Sequence, residues 1–244
     1  MKVFIEKDYD ALSRKAADII KDVVKENPNA VLGLATGSSP IGTYAELIKD
    51  HMKKDGISFA NVKTVNLDEY VGLGEGDEQS YVTFMRNNLF NYVDIDLKNT
   101  NLPNGKATDL NAECDRYNAL LSTLKQDVQV LGIGSNGHIG FNEPGTAFDS
   151  VTHIVDLTES TIKDNSRLFD RIEDVPRQAL TMGIKNIMDA KMIIVVANGE
   201  NKADAVYKAI EGEVTETVPA SILQKHENVI FIIDKKAASK LTSK

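Results

Sequence analysis

Short apolar runs rich in β-branched residues recur along the whole chain, and most are followed by a stretch with helical periodicity. Strands are expected at Lys2–Glu6, Ala30–Ala35, Val62–Asn66, Val128–Ile133, Thr152–Asp156, Met192–Ala197 and Val229–Ile233. Between them, Asp8 can cap a helix through Glu26, with Leu12, Ala16, Ile19, Ile20 and Val23 on one face. Further helices are expected from Pro40 to about Lys54, from Ser80 to about Tyr92, and from Asp109 to about Lys125. Two more should run from Thr158 to about Arg167 and from Lys202 to Ile210. Runs that are apolar throughout, rather than at alternate residues, belong to strands covered on both sides, and parallel strands need helical crossovers. The expectation is therefore an α/β fold with a mostly parallel sheet and helices on both faces. One domain over residues 1–244 is expected, since α/β domains of this length commonly stay single. Residues 140–180 are the least regular part, with a flap or lid at roughly 150–180.

Composition excludes several functions. A chain of this length buries roughly 70–75% of its unfolded surface, so its core needs neither a disulfide nor a metal staple. The single cysteine, Cys114, cannot form an internal disulfide, and MKVFIEKDYD is no apolar leader, so a reduced, cytoplasmic protein is expected. No apolar run is long enough to span a bilayer, so no membrane partner is expected. A formal charge of −8 argues against a nucleic-acid partner, which would want a basic face.

The stretch VQVLGIGSNGHIGFNEPG, residues 128–145, turns a buried strand into a loop with five glycines and carries Asn136, His138, Asn142 and Glu143. Ligands of open α/β sheets bind at the carboxyl ends of strands, so a titratable His and Glu placed there mark a candidate site. Gly132, Gly134 and Gly137 also satisfy the G-x-G-x-x-G dinucleotide fingerprint, with Asp156 near the expected acidic position. That fingerprint needs a helix directly behind its glycines, however, and His-Ile-Gly-Phe-Asn-Glu-Pro cannot open one.

Two other stretches carry chemistry. In LATGSSP, a strand delivers Thr36, Gly37, Ser38 and Ser39 to a helix that Pro40 is suited to begin. Free backbone N–H groups and small hydroxyls there make a cradle for one phosphate, without the Gly-Lys-Ser/Thr of a nucleotide loop. Arg167 and Lys202 can supply cations. The negative net charge does not forbid such a site. Salt screens distant charge beyond about 8 Å, whereas charge-assisted hydrogen bonds act at contact and are about twice as strong as neutral ones. In VNLDEY, adjacent carboxylates end a strand, so one of Asp68 and Glu69 faces the cleft and the other turns away. Either suits a general base. Ser80 reads as a helix cap and Tyr81 as a core or cleft aromatic.

In that order and spacing, LATGSSP, NLDEY, SY, GIGSNGHIGFNEPG, NSR and GENK resemble the glucosamine-6-phosphate deaminases, of the glucosamine/galactosamine-6-phosphate isomerase family, over essentially the whole chain. The resemblance implies a single modified Rossmann-like domain with a lid, and conversion of glucosamine 6-phosphate to fructose 6-phosphate and ammonia with neither metal nor organic cofactor. It implies that His138, held by Glu143 and Asn136, opens the sugar ring, and that Asp68 moves the C2 proton to C1. It further implies phosphate contacts from Ser38, Ser39, Arg167 and Lys202, with Thr36 and Gly37 shaping the loop.

Departures from the family pattern matter. Ser38 stands where many relatives have a second glycine, and Asn136 where some have Asp, which keeps the hydrogen bond to the His–Glu pair but not the charge. Hexameric, allosterically activated members carry basic residues where this chain has His153 and Val155, so a monomer or small homo-oligomer without activation by N-acetylglucosamine 6-phosphate is expected. Two other functions fit the same fold. One is a hydrolase resembling 6-phosphogluconolactonase, which would need no C2 base. The other is a non-catalytic sugar-phosphate sensor.

Overall fold

A computed structural model describes residues 1–159, 161–162, 166, 169 and 171–242. Seven strands form one parallel sheet: β1 (Lys2–Glu6), β2 (Val31–Leu34), β3 (Lys63–Asn66), β5 (Thr100–Asn101), β6 (Val128–Leu131), β9 (Ile193–Ala197) and β10 (Val229–Asp234). Their order across the sheet is β1-β10-β9-β6-β2-β3-β5. Every residue of β2, β6, β9 and β10 is buried, as near-continuous apolar runs require, with Gln129 and Asp234 the polar exceptions. Each fully buried Ile or Val of β9 contributes about 1.5–3 kcal/mol of transfer free energy.

Helices cover both faces. On one side α1 (Tyr9–Glu26), α2 (Ile41–His51) and α3 (Tyr81–Asn88) pack Leu12, Ile20, Tyr44, Leu47 and Met85 against the sheet. On the other lie α4 (Leu110–Thr123), α5 (Ile184–Met188) and α6 (Ala203–Ile210), through Tyr117, Leu121, Ile187 and Val206. Three expected caps form: Asp8 accepts from Ala11 N–H, Ser80 from Thr83 N–H and Asp109 from Ala112 N–H.

Several expected boundaries move. The helix after Pro40 stops at His51, where a turn leads to Gly56, whose Cβ would meet the carbonyl of Asp50. The helix from Ser80 ends at Asn88, and Phe90–Tyr92 forms a separate 3-10 turn. The helix from Asp109 ends at Thr123 rather than Lys125, so that Asp127 can meet β2: its backbone N–H donates to Val31 O. The helix expected from Thr158 to Arg167 lies partly outside the described residues.

The larger difference is a second sheet. Asp68–Tyr70 does not prolong β3. It forms β4, which pairs antiparallel with β8 (Gln178–Thr181), itself paired with β7 (His153–Asp156). Residues 150–180 thus contribute two regular strands. Leu67 carries the chain between the sheets, its N–H bonded to Leu34 O and its C=O to Met182 N–H.

This topology places the cleft. From β2 the chain moves outward through β3 and β5, then returns to β6 on the opposite side of β2. Loops leaving the carboxyl ends of β2 and β6 therefore diverge, which opens a crevice at the switch point. Buried tyrosines pin the strand ends beside it. Tyr44 OH donates to Ala35 O and accepts from Ala35 N–H, while Tyr117 OH donates to Asn66 O.

Candidate active site

A cleft of about 180 Å³ opens at that switch point. Its walls include Thr36, Gly37, Ser38 and Ser39 after β2, Asp68 at the start of β4, His138 in the loop after β6, and Lys202 before α6. Four separate stretches of sequence thus converge on one cavity. Arg167 lies outside the described residues.

The two carboxylates of NLDEY part company as strand alternation demands. Asp68 is 6% exposed and lines the cleft, directly across from Thr181 in the β4–β8 pair. Burial, with the charge of Glu69 adding to it, pushes its carboxyl up to about 8. Glu69, 1% exposed, turns to the start of α3, where its carboxylate accepts from the N–H groups of Tyr70, Tyr81 and Val82. Burial pushes Glu69 up to about 7 against the pull of those three donors. Its bonds to α3 hold Tyr81 over the cleft. There the Tyr81 ring stacks on Phe141 at 6.3 Å and 8°, and its hydroxyl is hydrogen-bonded to Thr36 and Tyr70.

The loop after β6 continues as turns, not as a helix, so its glycines do not make a dinucleotide site. They serve close packing. The His138 ring lies against Gly134, where a Cβ would collide with the imidazole. Gly140 adopts φ +58°, and a Cβ there would sit 3.1 Å from Thr181 Oγ1 and 3.7 Å from Asp68 Oδ2. Asn142, fully buried, donates to the carbonyls of Ile139 and Met182 and so ties the loop to the end of β8.

His138, Asn136 and Glu143 form one network. His138 Nδ1 is 2.8 Å from Asn136 Oδ1 and 3.5 Å from Glu143 Oε1. Asn136 Nδ2 donates to Glu143 Oε2 at 2.7 Å, and Thr161 Oγ1 donates to Glu143 Oε1. An amide oxygen cannot donate, so the proton of this pair sits on Nδ1, and Nε2 is left as the basic nitrogen. Burial alone would raise Glu143, but His138, Asn136 and Thr161 outweigh it and hold the carboxyl below its ordinary value.

Reasoning from the chain alone left two residues unassigned. Thr181 sits in a QALT stretch with no turn or cap signal, and only the β4–β8 pairing reveals it beside Asp68. Phe141 lay inside a motif already noted for its polar residues. Among the described residues, no three or more His, Cys, Asp or Glu side chains gather in a metal-binding group. Nor is any described helix long and apolar enough to cross a membrane.

A parallel sheet with a cleft at its switch point, an Asn–His–Glu network and a serine loop defines the class, and sequence comparison agrees with it. Residues 6–231 match the model of the glucosamine-6-phosphate isomerases/6-phosphogluconolactonase family, and the chain belongs to that family. Within the family it stands with the deaminases. It is 51% identical to the glucosamine-6-phosphate deaminase of Clostridium novyi (strain NT), across 99% of this chain and 100% of that one. It is 55% identical to that of Lachnoclostridium phytofermentans (strain ATCC 700394 / DSM 18823 / ISDg), across 95% and 98%. Among solved structures, a monomeric glucosamine-6-phosphate deaminase of the NagB superfamily superposes with a TM-score of 0.95 at 50% identity, covering 98% of this chain and 99% of that one. The 6-phosphogluconolactonase of Trypanosoma brucei shares the fold, at a TM-score of 0.77 and 19% identity over 99% and 98%.

Proposed function

We propose that this chain deaminates glucosamine 6-phosphate to fructose 6-phosphate and ammonia, with Asp68 and His138 as its two acid–base groups. The observation that carries the reading is that these side chains line the same cleft, with the serine loop forming its wall. High identity to deaminases over the full chain supports the substrate.

The closed sugar has no acidic C2 hydrogen, so the ring must open first. His138 Nε2, its ring fixed through Nδ1, takes the O1 proton and returns one to the ring oxygen, giving the aldehyde. The anionic Glu143 stabilises the imidazolium formed in between. Asp68, as carboxylate, then removes the C2 proton that the aldehyde has acidified. That electron pair becomes the C1–C2 double bond, the carbonyl pair moves onto O1, and O1 takes a proton from the substrate's ammonium group, which leaves a neutral enolamine. Returning the proton to C1 leaves a hydroxymethyl group and an imine at C2. Water adds to that imine, and ammonia departs with the C–N electron pair. One carboxyl serves both carbons because they lie on one face of a planar intermediate. Ser38, Ser39, Lys202 and Arg167 are assigned to the phosphate, with Thr36 and Gly37 shaping the loop, so that the anion fixes the distance from O6 to the reacting carbons. Residues 150–180 act as the lid, and the enzyme works as a monomer or small homo-oligomer, as the similar monomeric structure suggests.

Ammonia release from glucosamine 6-phosphate by the purified protein, with chelator present, tests the reading. Equal amounts of ammonia and fructose 6-phosphate are expected. Binding of the sugar phosphate without ammonia would favour a sensor, and hydrolysis of 6-phosphogluconolactone that survives Asp68→Asn would favour a lactonase.

A further inference from the structure

The serine loop is held from behind by a residue in another helix. Tyr9 opens α1, far from the cleft in sequence, and its hydroxyl shares one proton between Ser38 O at 2.9 Å and Ser39 O at 3.0 Å. The same oxygen accepts from Gly42 N–H at 2.9 Å. Helix α2 has no side-chain cap of its own, so Tyr9 satisfies one of its free N–H groups. Gly42 makes the approach possible. A Cβ there would meet the hydroxyl of Ser13 and lie 2.9 Å from Tyr9 Cε1.

We propose that Tyr9 is a positioning residue for substrate phosphate, a role that rests on the reading of Ser38 and Ser39 above. In a trans peptide the C=O and the following N–H point in opposite directions. Drawing Ser38 C=O toward Tyr9 therefore turns Ser39 N–H away from Tyr9, in a loop whose residues line the cleft. Without that restraint the backbone after Gly37, itself at φ +88°, is free to rotate its carbonyls toward the anion. An inward carbonyl repels phosphate, whereas an inward N–H attracts it. Because Gly42 N–H is taken by Tyr9, that group of the next helical turn is not available to the anion, and the loop's own N–H and hydroxyl groups carry more of the cradle.

Tyr9→Phe removes the hydroxyl and keeps the ring. The expected result is a KM for glucosamine 6-phosphate raised roughly five- to tenfold, the scale of one lost hydrogen-bond anchor, with kcat within twofold. Competitive inhibition by inorganic phosphate should weaken by the same factor, while slow turnover of unphosphorylated glucosamine at high concentration stays as it was. Gly42→Ala, which pushes the ring away but keeps its hydroxyl, should act in the same direction. If phosphate competes with substrate in the unaltered enzyme and Tyr9→Phe leaves both constants unchanged, the role of Tyr9 is refuted. Equal losses in kcat for phosphorylated and unphosphorylated sugar would refute it too, since they mark general damage. If phosphate does not compete even in the unaltered enzyme, the assignment of the loop itself falls.

Discussion

Replacing Asp68 by Asn should make the protein more stable as well as inactive, and the gain should grow with pH. The buried carboxyl titrates at about 8, against an ordinary value of 3.8. Between those pH values the folded chain keeps a proton that the unfolded chain has released. The unfolded state then binds fewer protons, so this group's contribution to stability falls as pH rises, at about 1.4 kcal/mol per unit. The loss begins near the unfolded value and levels off above about 8. Asparagine carries no proton to release, so the slope disappears while shape and polarity are nearly kept. Glu69 is present in both proteins, and its own titration cancels to first order. From pH 5 to pH 7 the variant should therefore gain roughly 3 kcal/mol relative to the parent. Urea unfolding of both proteins at pH 5, 6, 7 and 8 measures this directly, through the midpoints at a shared m value. Parallel stability curves across that range would mean that Asp68 is ionised in the folded state at pH 5, and the picture of a desolvated base would be wrong.

Other side chains make separate predictions. Gly134→Ala forces the His138 ring from its seat and should lower kcat about 10²-fold in steady-state assays, with substrate binding little changed. Glu143→Gln removes the anion beside imidazolium. It should cost about 10²-fold in kcat, and the acid limb of the rate profile should keep its midpoint, because Glu143 titrates below its ordinary value. Glu69→Gln weakens the three bonds that hold the start of α3. Thermal or urea unfolding should show a loss of about 1–3 kcal/mol below about pH 4.5, shrinking as pH rises toward 7 and the buried carboxyl must ionise.

Much of this architecture was legible in the chain. The predominantly apolar runs at β2, β6, β9 and β10 point to a parallel sheet, and Asp8, Ser80 and Asp109 each begin the helix they were expected to cap. Period-two alternation correctly separated Asp68 from Glu69. What stayed hidden depends on partners distant in sequence. Residues 68–70 look like the tail of β3, and only pairing with residues 178–181 makes them a strand of another sheet. The two-residue β5 is too short to carry periodicity. Tyr9 was unreadable as a site residue for the same reason. Nothing near it in the sequence announces that its hydroxyl meets a loop 29 residues away. Arg167, assigned to the phosphate by resemblance, falls outside the described residues.

The central claim is that one carboxyl, Asp68, transfers hydrogen between neighbouring carbons of the opened sugar. Nuclear magnetic resonance of the reaction in heavy water follows that hydrogen directly. The unaltered enzyme should fill one C1 position of fructose 6-phosphate, on a single face, with the hydrogen taken from C2 or with a solvent deuterium that has exchanged onto the carboxyl. Asp68→Asn should lose C2 exchange and ammonia release together, by at least about 10²-fold. Exchange of the C2 hydrogen by the Asn variant at the parent's rate would show that another group is the base, and the account built on Asp68 would fail.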